Sequence, residues 1–307
     1  MLLTYKGRDI TNSIDIHKAF IVDNAGGIAD SVEIEFADTE GLWSKWSPEK
    51  NDVVELKESG LSSGVMYIDQ LEQTRGKFTI KALSIPQNAR TTRTRYWEKI
   101  RLFGIGKDIS ERYGFTLKTY GVNDYSYERI GQLNQADLDF FAYRCILEGY
   151  ILKIYNKQLI IYDEKYLEQQ KAVKEINLQD LEGDFKYKSR STGLYNSCTV
   201  VGYCGQKLIK SKFTPKSASY GPDLKSNIFI SSQSEADRFS KGILRYENKK
   251  ENQVLIRINL DTNIAAGNNI NLSGIGLADG KYFITSAIND LKNKKVDLVL
   301  RLPLEGY

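Results

Sequence analysis

The stretch NDVVELKESGLSSGVMYID, residues 51–69, is echoed by GNNINLSGIGLADGKYFIT, residues 267–285. Laid over one another without a gap, Leu56 meets Leu272, Gly60 meets Gly276, Leu61 meets Leu277, Gly64 meets Gly280 and Ile68 meets Ile284. Taking 60 from 276 and 64 from 280 gives the same offset, 216. Val54 over Ile270 and Tyr67 over Phe283 keep apolar character where the residues differ. Each version reads as a strand, a Gly-Leu-x-x-Gly turn and a second strand, so one structural unit is expected twice. Such self-similarity governs how the rest of the chain is read.

The flanks extend the pattern. After Gly64, Tyr67, Ile68 and Leu71 lead through Thr74-Arg75-Gly76 to Phe78, Ile80 and Ala82. After Gly280, Phe283, Ile284 and Ile288 lead through Lys292-Asn293-Lys294 to Val296, Leu298, Leu300 and Leu302. Apolar residues at alternate positions predict hairpins with one buried and one wet face. Upstream the copies differ. The first has a strand with Val32, Ile34 and Phe36, then a short Trp43/Trp46 segment. The second has an amphipathic helix with Ala236, Phe239, Ile243 and Leu244 on one side, then a strand through Val254, Ile256, Ile258 and Leu260. Ser232–Ser234, with Glu235 and Asp237 following, suit the start of that helix. It is expected to pack on the sheet of the second copy.

Between the copies the sequence changes character. Pro86 closes the first, and Asn88–Arg95 is polar and basic. A helix is expected over Tyr96–Tyr113, with Trp97, Ile100, Ile105 and Ile109 as its apolar contacts. Leu138, Phe141, Ala142, Cys145 and Ile146 form the stripe of a second helix, with Asn134 as its cap and Glu148-Gly149 as its end. Tyr150, Leu152, Ile154, Leu159 and Ile161 predict a hairpin turning at Asn156-Lys157. An acidic link at Asp180–Asp184 precedes strands around Tyr195–Tyr203. The predicted fold is α+β, mainly β. Two related antiparallel β domains, 1–86 and 181–307, flank an inserted α+β domain, 87–180.

A chain of 307 residues suits two or three domains. With 41% hydrophobic and 27% charged residues it reads as a soluble globular protein, and 19 tyrosines against 5 prolines favour sheet. A net charge of +4 gives no whole-molecule case for nucleic acid or membrane. Lys6 brings charge too early for a secretory signal, and no apolar run approaches the ~20 residues that span a bilayer. Synthesis in a cytoplasm is therefore expected. Three cysteines argue against a disulfide framework.

No catalytic, cofactor-binding or metal-binding residue is expected. His17 is the one histidine and lies in a strand-like alternation without a nucleophile motif, which favours a structural role. Cys198 and Cys204 lack the second ligand pair that a tetrahedral zinc site needs. Gly104-Ile105-Gly106-Lys107 lacks the upstream Gly of a phosphate loop, and Asp108 stands where its Ser or Thr would hold magnesium. Asp180-Leu181-Glu182-Gly183-Asp184 places its Gly too early for a calcium loop. Asp137 and Asp139, two apart on a helix, face different ways. The basic stretches Arg90–Arg101 and Lys207–Lys225 do not space aromatics among their charges as a single-strand platform does. The second reads as a long exposed loop, and for both a solvated face or a protein-contact loop is expected rather than nucleic-acid contact.

The run from Ser234 to Leu302 resembles the C-terminal part of baseplate hub proteins of contractile phage tails and tail-like bacteriocins. This is the late control protein D family, similar to the hub part of type VI secretion spike proteins. The residues that carry the likeness are Glu235-Ala236-Asp237-Arg238-Phe239-Ser240-Lys241, Gly267, Gly274-Ile275-Gly276, Asp279-Gly280-Lys281-Tyr282-Phe283-Ile284 and the close at Val296–Leu302. Leu138–Tyr150 and the following hairpin resemble the middle domain of those hubs. The resemblance implies two tail-tube-like β-barrels per chain. It also implies a homotrimer whose six barrels join a hexameric tail tube to a trimeric central spike. Other baseplate proteins and the tape measure protein would be partners, with no membrane and no sequence-specific nucleic acid. Some members continue into a spike or lytic domain; ending at Tyr307, this chain is expected to leave those to separate proteins. The alternatives are a tail-associated peptidoglycan hydrolase and a monomeric glycan-binding module.

Overall fold

A computed structural model describes residues 1–216 and 221–307. The first segment runs β1 (Leu2–Tyr5), β2 (Arg8–Asp9), β3 (Asp15–Asn24), β4 (Ser31–Ala37), α1 (Leu42–Trp46), β5 (Val53–Glu58), β6 (Leu61–Ser62), β7 (Met66–Thr74) and β8 (Lys77–Leu83). Alternation puts Val32, Ile34 and Phe36 of β4 beside Ala82, Ile80 and Phe78 of β8, all turned to one core. Trp43 of α1 plugs that core, stacked on Phe78 at 5.4 Å and tilted on Phe36 at 4.5 Å.

The middle segment runs β9 (Thr92–Arg101), α2 (Leu102–Tyr113), β10 (Thr116–Tyr120), β11 (Ser126–Ala136), α3 (Asp137–Leu147), β12 (Tyr150–Tyr155), β13 (Gln158–Asp163), α4 (Glu164–Glu168) and β14 (Ala172–Asn177). The helix expected over Tyr96–Tyr113 begins only at Leu102. Its first part, β9, pairs antiparallel with β11 as a ribbon. Thr92-Arg93-Thr94-Arg95-Tyr96-Trp97 alternates exposed with more sheltered positions up to buried Trp97, a strand period that the helix assignment overlooked. Asn134 does not cap α3. It sits in the ribbon's bulge at φ 47, and the helix starts after Ala136. The hairpin β12–β13 turns at Asn156 and Lys157, both at positive φ, as a tight two-residue turn requires.

The last segment runs β15 (Lys186–Ser189), β16 (Ser197–Cys204), β17 (Lys207–Phe213), β18 (Asp223–Asn227), α5 (Gln233–Asn248), β19 (Asn252–Asn259), β20 (Asn269–Ser273), β21 (Gly280–Asp290) and β22 (Lys295–Arg301). Ser232 caps α5 by accepting from the Glu235 N–H at 3.2 Å. This helix does not pack on the sheet of the second copy. Its Ala236, Phe239 and Leu244 join Phe141, Leu102 and Leu159 of the middle segment in one core, with Cys198 and Val200 of β16. Gly242 lets α5 lie against the end of α3, where an added Cβ would stand 2.5 Å from the Leu147 carbonyl oxygen. The expected loop Lys207–Lys225 contains β17 and the start of β18; its residues 217–220 lie outside the described residues.

The fold is mainly β, in several largely antiparallel sheets. The largest has 14 strands, in the order β15-β19-β22-β21-β3-β4-β8-β7-β5-β1-β2, with β6, β14 and β20 paired off that path. It runs unbroken from the second copy into the first, and among the described residues its path is open, not closed into a barrel.

Candidate assembly interface

The duplication holds at the level of strand pairing. Val53 faces Tyr67 and Val54 faces Met66 across β5–β7; Asn269 faces Phe283 and Ile270 faces Tyr282 across β20–β21, each number displaced by 216. The bulge between Ile68 and Gln70 recurs between Ile284 and Ser286. On the returning strands the offset becomes 218, from Leu83 to Arg301 and from Lys77 to Lys295. The loop 291–294 explains this, being two residues longer than Arg75-Gly76. Outside β8 and β22 lie β4 and β19, where Val32 and Val254 occupy matching positions at an offset of 222. Beyond these lie β3 and β15. The copies diverge at their other side, where β1 runs antiparallel to β5 but β14 runs parallel to β20. They diverge at the turn too: half-buried Leu61 opens a strand, whereas Leu277 stands 88% exposed in a 3-10 turn.

The copies meet edge to edge. β3 pairs antiparallel with the second half of β21, from Ser286 opposite Asn24 to Asp290 opposite Phe20. Backbone donation from Ala25 to Thr285 and from Leu291 to Ala19, each 2.9 Å, extends the ladder. Buried Asn289 donates from Nδ2 to the Ile21 carbonyl at 3.2 Å. The surfaces are unlike, since β3 corresponds to β15 and β21 to β7.

Lys153 of β12 ties the middle segment to this joint. Its ammonium lies between the carboxylates of Asp23 and Asp30, 3.0 Å from the Asp30 Oδ2, and donates to the Asn24 carbonyl. Burial pushes the Asp30 carboxyl up to about 6 despite the opposing lysine. Burial pulls the Lys153 ammonium down, but the two carboxylates outweigh it and leave its pKa raised. The cleft beside it, about 340 Å³, is lined by Ile21, Ser62, Tyr155, Thr262 and Asn289 among others. A second buried group joins β22, α4 and α5. The Glu168 carboxylate takes Arg245 at 2.7 Å and Arg301, while Glu164 takes Arg301 at 3.3 Å and Lys249 at 3.4 Å.

The residues weighed for chemistry are dispersed. His17 is on β3, 3.5 Å from Asp15. Cys145 and Cys198 are buried, and burial pushes the Cys198 thiol up to about 12; Cys204 is exposed at the far end of β16. Gly104–Lys107 lies inside α2, with Gly106 against Phe141. Asp137 is buried among Arg93, Arg95, Arg112, Gln132 and the Tyr113 hydroxyl, whereas Asp139 is exposed. Asp180 caps its own turn and Glu182 pairs with Lys295 at 2.8 Å. Of the basic run, Arg90 pairs with Asp69, Arg95 with Asp108 and Asp137, and Arg101 with Asp124. The feature that stands out instead is a strand-edge joint. Its partners β3 and β21 each looked like ordinary alternating strands, and the repeated offset, which relates β21 to β7, gave no sign that they pair.

No protein-family model and no curated protein matches the sequence. Solved structures do. A tail protein from Neisseria meningitidis superposes with a TM-score of 0.76 at 8% identity, over 98% of this chain and 95% of that one. The 43 kDa tail protein of prophage MuSo2 from Shewanella oneidensis gives 0.74 at 12% identity, over 98% and 97%. An E. coli component of the type VI secretion system, described as structurally similar to the T4 bacteriophage tail proteins gp27 and gp5, gives 0.63 at 10% identity over 99% and 78%. The chain has the fold of phage tail proteins, which a type VI secretion component shares.

Proposed function

We propose that this chain is a structural, non-enzymatic hub in the baseplate of a contractile phage tail or tail-like particle. Three chains form a pseudo-sixfold ring that joins a hexameric tail tube to a trimeric central spike. The observation that carries this is the joint itself: two copies of one β unit, on a fold shared with phage tail proteins, meet through unlike edges. Unlike surfaces can propagate and close into a ring, whereas a self-complementary patch stops at two. Three chains with two units each supply six.

In this proposal the two β units complete tube-like barrels around the bore. The first unit is 1–86, and the second is built from β15 and β19–β22. The middle body combines 87–180 with β16–β18 and α5, whose cores are continuous, and stands outside the ring. Other baseplate proteins and the tape measure protein complete the set of partners. The mass of the purified full-length protein, alone and with a tube or spike protein, tests this. A trimer is expected; a chain that stays monomeric with both partners, or that turns over a cell-wall substrate, contradicts it.

A further inference from the structure

We infer that β15 of one chain adds to the free edge of β7 in a second copy of this chain, antiparallel and in one register. The inference rests on the ring proposed above and specifies where its chains touch. Within the chain, one edge of β21 is used twice. Residues 280–283 pair with β20 and residues 286–290 with β3. On the matching edge of β7, β5 covers Met66 and Tyr67, and Asn51 and Asp52 just before it bond Ile68. Gln70–Thr74 has β8 on one side and, among the described residues, no strand on the other. In the same way β3 lies between β4 and β21, but β15 has β19 alone. The two open edges are thus the counterparts of the two edges that pair inside the chain. Glu72, Gln73, Thr74, Lys186, Lys188 and Ser189 are exposed, and open strand edges of this kind are templates for another chain.

The duplication also fixes the register. β21 maps to β7 by the offset of 216. β3 maps to β15 by 166, because Phe20 faces Glu33 and Lys186 faces Leu255, while Glu33 corresponds to Leu255. The internal pair Ile288–Val22 therefore becomes Glu72–Lys188 between chains, and Asp290–Phe20 becomes Thr74–Lys186. An apolar pair inside the chain is replaced by opposite charges at the boundary. None of Glu72, Lys186 and Lys188 makes a salt bridge within the described residues, so these charges are available to a partner. Charge on an exposed edge also discourages indiscriminate pairing while the chain is free.

Disulfide trapping in the full-length chain, with Cys204→Ser as background, tests the register. Glu72→Cys with Lys188→Cys is expected to give covalent dimers and trimers on oxidation. Glu72→Cys with Ser189→Cys, whose side chains leave opposite faces, is expected to give on the order of ten-fold less. Charge reversal provides a second readout: E72K alone lowers the trimer fraction, and E72K with K188E restores it. A trimer that forms without the 72–188 cross-link, or that prefers 72–189, overturns the strand pairing and leaves the ring standing. A monomeric mass at every concentration, with tube and spike present, overturns both.

Discussion

At the residue scale, the telling contacts are buried charges and one glycine. Asp30 keeps a proton up to a higher pH folded than unfolded, so its contribution favours the native state at low pH. That contribution is fully present below about pH 4, the ordinary carboxyl range, and fades as pH rises through about 6. Asp30→Asn is therefore expected to flatten stability against pH between these values, as read by urea unfolding; an unchanged slope would remove Asp30 from the account. Glu168 is the shared acceptor of Arg245 and Arg301. Glu168→Ala removes the carboxylate that buried Arg245 pairs with, leaves Arg301 with Glu164 alone, and should cost about 3–5 kcal/mol. Gly64 has φ 65, and a Cβ there would stand 2.8 Å from the Asn156 side chain. Gly64→Ala should cost about 1–3 kcal/mol, measured by denaturant midpoint, and a neutral result would mean that the β12–β13 turn yields. Of these, the sequence announced only Gly64, through its repeat partner Gly280. Lys153, Asp30 and Glu168 lie far apart in the chain from the groups they meet, and nothing in their local pattern marks them.

Elements were legible where one period ran without interruption. The strands β4, β8, β19 and β22, the stripe of α3 and the capped start of α5 all follow from their residues. The stretch Thr92–Arg101 did not, because Trp97 and Ile100 also fit a helical spacing with Ile105 and Ile109. The competing alternation of β9 becomes decisive only once β11 lies beside it. The place of α5 was hidden for another reason. An apolar stripe says that a helix has a partner, not which one, and its partner is the middle segment through Phe239 and Gly242. Gly242→Val is expected to force α5 off α3 and cost at least about 1–3 kcal/mol by overpacking. A crystal structure of that variant with the α3–α5 spacing unchanged would contradict the packing described.

At the scale of the whole molecule, the offset of 216 foretold two related units. It did not foretell that they would share one 14-stranded sheet. Which edge meets which depends on surfaces that no single strand's alternation encodes. In the proposed ring the same kind of joint repeats between chains, and the inference above puts the chain boundary at β15 and β7. A reconstruction of the baseplate of a particle carrying this chain, made without imposed symmetry, measures this most directly. Three copies are predicted, with six β units around the bore and each β15 laid along the next chain's Gln70–Thr74. One or two copies, or β units lying off the axis with the middle body lining the channel, would contradict the account.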